Sequence, residues 1–302
     1  MDGTVDGFRY GAVTPVAAYL MACLGGALGL RCVVRSLHND QSWKPGWLAL
    51  GAASIGCGIW TMHFVAMIGF QVEETRIGYH VGLTVLSLVV AVVVVGIGVF
   101  AVGYRGATTA TLSAAGTVTG LGVAAMHYLG MGAMRLDGDI RYASPAVALS
   151  VVIAIVAATA ALWAAVSIRG FLASLGASLV MGVAVSGMHY TAMEAVTVHV
   201  HDTVGASWAG ESPTSLLLPM LLGPVVFLLL AGVVVMFDPL LVMGDAGWNG
   251  QPAPRRTASA VTAATRAPRR GSAEHPGSPK DAPADPTWSR RDPYEVPRRT
   301  RE

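Results

Sequence analysis

The stretch MHYTAM, residues 188–193, lies inside a long apolar run, and two further copies of it decide the fold. MHFVAM occupies residues 62–67 and MHYLGM occupies residues 126–131. The histidines of successive copies are 64 and 62 residues apart. So regular an interval indicates an internal repeat, in which one structural unit occurs three times along the chain.

The composition is typical of an integral membrane protein. The chain has 302 residues, of which 53% are hydrophobic and only 13% are charged, and its mean hydropathy is +0.56. Runs without Asp, Glu, Lys or Arg are long enough for the roughly 20 residues that cross a bilayer as a helix. The sequence therefore predicts seven spans, at about residues 11–30, 46–70, 81–103, 109–134, 145–168, 170–193 and 215–237.

The order of these spans predicts an all-α integral membrane fold of seven transmembrane helices, built from three repeated helix pairs plus one extra helix. Spans two, four and six contain the motifs, so all three motifs run in the same direction across the membrane. Each histidine is close to the end of its span, and we expect the three imidazoles to share one layer, roughly 8–10 Å below the outer boundary. Three-fold packing of these spans would point His63, His127 and His189 at one another.

The predicted domains are a short outer N terminus at residues 1–10, a membrane domain at residues 11–237 and a disordered tail at residues 238–302. The tail is rich in Pro, Ala, Ser, Thr and charged residues, and cannot bury enough apolar area to offset its ordering entropy. Basic residues are five to four in favour of the loops that we place inside, which predicts a plasma-membrane protein with its N terminus outside and its C terminus cytoplasmic. We expect the lipid bilayer, and no nucleic acid, as a partner.

Each motif places a histidine and a methionine on one helix face. Residues four apart lie within about 40° of each other around a helix, whereas the methionine before each histidine points about 100° away. Imidazole and thioether are uncharged ligands that together favour copper, and the absence of Asp and Glu from the spans argues against a calcium or magnesium site. The candidate metal ligands are Met62, His63, Met67, Met126, His127, Met131, Met188, His189 and Met193.

Several other residues have simpler interpretations. Gly56, Gly120 and Gly182 lie six residues before the motif methionines, where small residues allow close helix packing. The aromatic residue after each histidine, Phe64, Tyr128 or Tyr190, is expected to belong to an interfacial belt, with a hydroxyl given to the site as the alternative. His199 and His201 are expected to lie in a polar loop rather than a metal site, and Cys23, Cys32 and Cys57 are expected to be apolar helix residues.

On these motifs the chain resembles the MHYT family of bacterial integral membrane sensors, over about residues 10–240. The resemblance implies copper binding near the outer face and a response to a diatomic gas, O2, CO or NO. It implies Met62 with His63, Met126 with His127, and Met188 with His189 as ligands, to which helical geometry adds Met67, Met131 and Met193. Members of the family commonly continue into a cytoplasmic signalling enzyme, whereas this sequence continues only into the predicted tail.

The function predicted from these observations is a membrane sensor with a copper site, responding to a small gaseous ligand or to redox state, and not an enzyme. Its signal would pass to a separate cytoplasmic signalling protein. Two alternatives use the same residues: copper transport, which needs a second Met/His layer deeper in the bilayer, and haem binding through two of the three histidines.

Overall fold

The computed structural model describes residues 3–7, 9–37, 43–168, 170–201 and 213–238. Within these residues seven helices are long and apolar enough to cross a membrane, which confirms the predicted fold class and a multi-pass membrane protein. Their bounds are α1 Val13–Leu37, α2 Lys44–Ile68, α3 Val81–Arg105, α4 Thr109–Gly132, α5 Ser144–Ser167, α6 Phe171–Met193 and α7 Pro213–Met236.

The first six helices form a closed ring. Each packs against its neighbours in chain order, and α6 packs against α1 to complete the circle. The pairs α1–α2, α3–α4 and α5–α6 are the three repeats, and α7 has its main helix contacts with α1 and α2. Because the ring has three equivalent pairs, α2, α4 and α6 occupy alternate positions around it, as in a three-fold arrangement.

The first helix extends past the predicted end at residue 30 to Leu37, and its last turn contains Arg35, which has a buried partner. Its Nε donates to Oδ2 of Asp238 at 2.9 Å, and its guanidinium lies 5.3 Å from the centre of the Trp47 ring. This ion pair joins the last turn of α1 to the end of α7. The predicted boundary at residue 238 remains a prediction, since residues 239–302 lie outside the described residues.

Within the described residues, six short strands, which the sequence did not predict, join the ends of the helix pairs. The strands are β1 Val5–Asp6, β2 Gln71–Val72, β3 Gly78–Tyr79, β4 Met134–Arg135, β5 Gly138–Tyr142 and β6 Val196–Val200. They pair antiparallel as β1 with β2, β3 with β4 and β5 with β6. Each helix pair is a hairpin, so the segment before it and the segment after it return to the same side. We call this side, where each motif also lies, the strand end.

Glycines bring each even helix against the odd helix that follows it around the ring, so that α2 contacts α3, α4 contacts α5 and α6 contacts α1. A Cβ at Gly56 would lie 2.8 Å from the backbone of Val92 on α3, and one at Gly120 would meet the backbone of Ile155 on α5. At Gly182 it would lie 2.5 Å from Sγ of Cys23 on α1. The predicted close approach of helix backbones is confirmed at Gly56 and Gly120, whereas at Gly182 the close contacts are with side chains of α1.

Replacing Gly120 with Ala should destabilise the protein, because the added methyl group forces α4 and α5 apart. Such overpacking typically costs about 1–3 kcal/mol. Gly187 on α6 is the matched control, since a Cβ there meets nothing within 4 Å. We expect Gly120→Ala to lower the thermal unfolding midpoint in detergent and Gly187→Ala to leave it unchanged or raise it. Equal effects of the two substitutions would contradict the packing described here.

Candidate metal centre

The three motif histidines meet at the centre of the ring, near the strand end. His63, His127 and His189 come from α2, α4 and α6, and each is at most 2% exposed. Their ring centres are 4.8, 5.0 and 5.1 Å apart, and the ring planes are nearly perpendicular in each pair. The predicted convergence of the imidazoles is therefore confirmed. We call these three residues the histidine cluster.

The nitrogen atoms of the histidine cluster lie at distances that suit a shared metal ion. Nδ1 of His189 is 3.1 Å from Nδ1 of His63 and 3.3 Å from Nδ1 of His127. Three imidazoles on one metal, with bonds of about 2.0–2.1 Å, have their nitrogens about 3.3–3.6 Å apart. Among the described residues, these three form the one group of at least three His, Cys, Asp or Glu side chains that could hold a metal ion.

Two ring nitrogens of the histidine cluster lack a hydrogen-bond partner among the described residues. Nε2 of His63 and Nε2 of His127 are both buried without one. Leaving such a group unsatisfied costs about 1–3 kcal/mol. At the other ring nitrogen, Nδ1 of His189 lies close to two further Nδ1 atoms, and a neutral imidazole nitrogen has either one N–H or one lone pair, so it cannot form a full hydrogen bond with both. This crowding of three Nδ1 atoms favours a shared ligand there, whereas the two buried Nε2 atoms would stay unsatisfied with or without it.

A glycine makes room for the ring of His63, and sequence analysis missed it. A Cβ at Gly130 on α4 would lie 2.5 Å from Nε2 of His63. The position three residues after each histidine is Ala66, Gly130 or Ala192, a small residue in every repeat. This repeated small residue was the available signal, because a bulky side chain there would keep a neighbouring imidazole away.

The aromatic residues after the histidines pack against them, and the prediction of an interfacial belt is wrong for Phe64. Phe64 is fully buried, with its ring edge-on to His63 at 4.7 Å between centres. Tyr128 makes the same contact with His127 at 4.9 Å, and Tyr190 with His189 at 5.0 Å. The hydroxyl of Tyr128 is 2.8 Å from Oγ of Ser150 on α5. Each aromatic ring thus fixes the orientation of the imidazole before it.

A tyrosine from the strands covers the histidine cluster on the side of α2. Tyr79 on β3 is buried, and its ring is 6.0 Å from that of Phe64. Burial raises the pKa of the Tyr79 phenol, which therefore stays uncharged. The described surroundings of the histidine cluster are apolar or neutral on this side.

The motif methionines lie in the core around the histidine cluster. Five of the six are at most 1% exposed, and Met193 is partly buried and packs against the main hydrophobic core. Met188 also lines an internal cavity. Whether any thioether binds metal remains a prediction.

The other residues noted in the sequence have structural roles. His199 lies on strand β6 opposite Asp139, not in a loop as expected. His201, at the end of that strand, is exposed, and its Nε2 is 3.1 Å from Oδ2 of Asp139. The three cysteines are buried and not in disulfides, as expected of apolar helix residues.

Comparison with known proteins places these features in a family. The MHYT model, described as a bacterial signalling protein N-terminal repeat, matches residues 56–115 and 120–178. Both matches begin at the packing glycines Gly56 and Gly120. The third equivalent glycine, Gly182, begins a corresponding segment that lies beyond the matched residues.

Three curated bacterial proteins are similar to the chain. The bifunctional diguanylate cyclase/cyclic di-GMP phosphodiesterase MucR of Pseudomonas aeruginosa is 36% identical over 67% of this chain and 30% of its own length. The cyclic di-GMP phosphodiesterase NbdA of the same organism is 36% identical over 66% of this chain and 27% of its own length. An uncharacterized signaling protein of Caulobacter vibrioides is 35% identical over 51% of this chain and 19% of its own length.

The chain spans less than a third of the length of these relatives, so the activities in their names are those of the longer proteins. No solved structure matches the chain. The repeated motifs, the membrane-spanning helices and the matched repeats agree with one another, and the chain contains two repeats of the MHYT family within its membrane-spanning helices.

Proposed function

We propose that this protein is a membrane sensor whose stimulus is received at one copper ion held by His63, His127 and His189. The observation that supports the proposal most is the meeting of three buried imidazoles, one from each repeat, with two Nδ1 contacts of 3.1 and 3.3 Å. We further propose that the N terminus lies outside the cell and the C terminus in the cytoplasm, which puts the histidine cluster near the outer face.

Copper in its monovalent state suits this set of ligands. Imidazole and thioether are neutral, so a monovalent ion leaves one uncompensated charge in the apolar core where a divalent ion would leave two. The cost of burying an unpaired charge is large. Thioethers also select Cu(I), whereas zinc is more often bound by thiolate, imidazole or carboxylate. The candidate thioethers are Met62, Met67, Met126, Met131, Met188 and Met193.

The chain's own part in sensing is to hold three helices at one point. Bound copper would supply a redox-active centre able to take a small ligand such as O2, CO or NO. Since each imidazole is on a different helix, a change in how the three nitrogens are held changes the packing of α2, α4 and α6. A stimulus would then act by shifting the population between two packings.

The route out of the membrane domain runs through α7. This helix packs against α2, which contains His63, and its end is tied to α1 by the Arg35–Asp238 ion pair. A shift of α2 would therefore move α7 and, with it, residue 238. We propose that a cytoplasmic signalling protein reads this change, and the cyclic di-GMP enzymes named among the relatives suggest its kind. The described bundle itself is proposed to have no enzymatic role.

The two alternatives find less support. Haem would need a macrocycle between two axial imidazoles, whereas the paired nitrogens of the histidine cluster are only 3.1 and 3.3 Å apart. Transport would need further ligands along a path. The sequence offers only scattered methionines for such a path, Met21, Met181, Met220 and Met236. Met236 is 71% exposed, and Met181 lies on the wall of an apolar cavity.

Purified protein should contain about one copper per chain, since three convergent imidazoles make one site. Elemental analysis of the His63→Ala/His127→Ala/His189→Ala variant should find the copper lost. His201→Ala is the matched control, because this exposed histidine is outside the histidine cluster, and it should keep its copper. Stoichiometric copper retained by the triple variant would rule out the proposed site.

Replacing Gly130 with Ala should weaken copper binding, because the methyl group takes the space beside Nε2 of His63. A change in the support of a metal ligand typically costs about 10- to 100-fold in affinity. Gly132→Ala is the control two residues away, where a Cβ meets nothing within 4 Å. Competition titrations with a Cu(I) chelator would measure both. Unchanged affinity in Gly130→Ala would contradict the geometry described for His63.

Two sets of methionine substitutions should separate the candidate sulfur ligands. Leu replaces Met with little change in volume, so the bundle should stay folded. Met67, Met131 and Met193 share a helix face with the histidines, and the variant with Leu at all three should lose more than about tenfold in Cu(I) affinity. About tenfold is the smallest loss typical of mutating a residue that merely orients a metal ligand. The triple variant of Met62, Met126 and Met188 should lose less. The reverse order would assign the sulfur ligands to the residues before the histidines.

A further inference from the structure

An apolar cavity lies inside the six-helix ring, beyond the histidine cluster as seen from the strand end. Side chains from α2 to α6 line it, and its volume is about 50 Å³. The described lining exposes only apolar surface to the cavity. Thr119 on α4 is among the lining residues, but its hydroxyl points to α3, where it donates to the backbone carbonyl of Val94.

The cavity exists because one face of α5 is made of alanines. Ala154, Ala157, Ala158, Ala161 and Ala165 all line it. Their spacing of three or four residues places them on a single helix face. Larger residues at these positions would fill the space between α5 and the other helices.

The cavity reaches the level of the histidine cluster at Met188. This residue lines the cavity and directly precedes His189, while Met181 lines it about 10 Å further along the same helix. A molecule in the cavity is thus separated from the metal-binding layer by a flexible thioether side chain.

The chemistry of the cavity restricts its occupant. A buried water needs two to four polar partners, so an apolar cavity stays dry. A cavity needs a volume of roughly 10–15 Å³ to hold one water molecule, and a cavity of about 150 Å³ in another protein accepts benzene or xenon. A volume between these limits admits a molecule of two or three heavy atoms and is too small for a lipid chain.

We propose that this cavity is a binding site for a small apolar molecule of diatomic size, held beside Met188. Its link to signalling rests on the proposed function, in which such a ligand acts at the copper ion. Diatomic gases suit the site because they are uncharged, need no hydrogen bonds and dissolve more readily in hydrocarbon than in water. The cavity would raise the local concentration of the ligand next to the histidine cluster.

Xenon is the probe for this site. The full-length protein, in lipid nanodiscs and under reducing conditions, would be labelled with ¹³C at its methionine methyl groups and titrated with xenon by NMR. Met181 and Met188 should show saturable shifts. Met131, which is buried but does not line the cavity, and Met236, which is exposed on the outer surface, should show none beyond the linear effect of dissolved xenon.

Substitutions on α5 provide the matched comparison. Ala161→Leu fills the cavity and should abolish the saturable shifts, whereas Ala160→Leu, one residue along on an exposed face, should preserve them. Ala158→Leu is a second filling variant in case the first does not fold. The proposal is overturned if the signals of Met181 and Met188 do not shift with xenon in the wild type. It is also overturned if every filling variant that folds shows the same saturable shifts as the wild type, or if a stoichiometric acyl chain already occupies the cavity.

Copper content measured on the same samples keeps the two proposals apart. Xenon binding in a protein without copper would support the cavity and contradict the copper site. Copper without saturable xenon binding would support the copper site and overturn the cavity. The filling variants should retain copper, because none of their residues belongs to the histidine cluster.

Discussion

The meeting of three imidazoles in an apolar core is the constraint on which the rest of the structure depends. A buried polar nitrogen needs a partner, and among the described residues the Nδ1 atom of each ring finds one on a different repeat. The two Nδ1 contacts, of 3.1 and 3.3 Å, both involve His189. Displacing any one even helix would therefore leave imidazoles in the low-dielectric interior without their partners.

The packing of the bundle serves this meeting point at several levels. Gly56, Gly120 and Gly182 bring each even helix against the next odd helix, so the ring closes with the histidines at one depth. The three strand pairs join the ends of the helix pairs just beyond the histidine cluster. Gly130 makes room for the ring of His63, and an aromatic ring lies edge-on beside each imidazole. Three-fold repetition lets one sequence pattern provide all of these contacts.

The sequence was sufficient for the features that depend on length and period. Uncharged runs predicted seven helices, and the spacing of His63, His127 and His189 predicted that the rings would meet. Strands of two residues are too short to show an alternating pattern, so the β1–β2 and β3–β4 pairs were missed. The first span was expected to end at residue 30, but α1 continues to Leu37, and a partner distant in sequence keeps Arg35 buried. The cavity depends on how five helices pack, which no local pattern specifies.

The proposed sensor would combine a centre held by three helices with a nearby apolar cavity and a helix that leaves the ring. The histidine cluster ties three helices together, Met188 separates it from the apolar cavity, and α7 connects α2 to the end of the membrane domain. X-ray absorption at the copper edge of Cu(I)-loaded protein tests the central claim most directly. The account predicts three nitrogen neighbours with the outer-shell scattering of imidazole rings. Fewer than two imidazoles around the copper would contradict it.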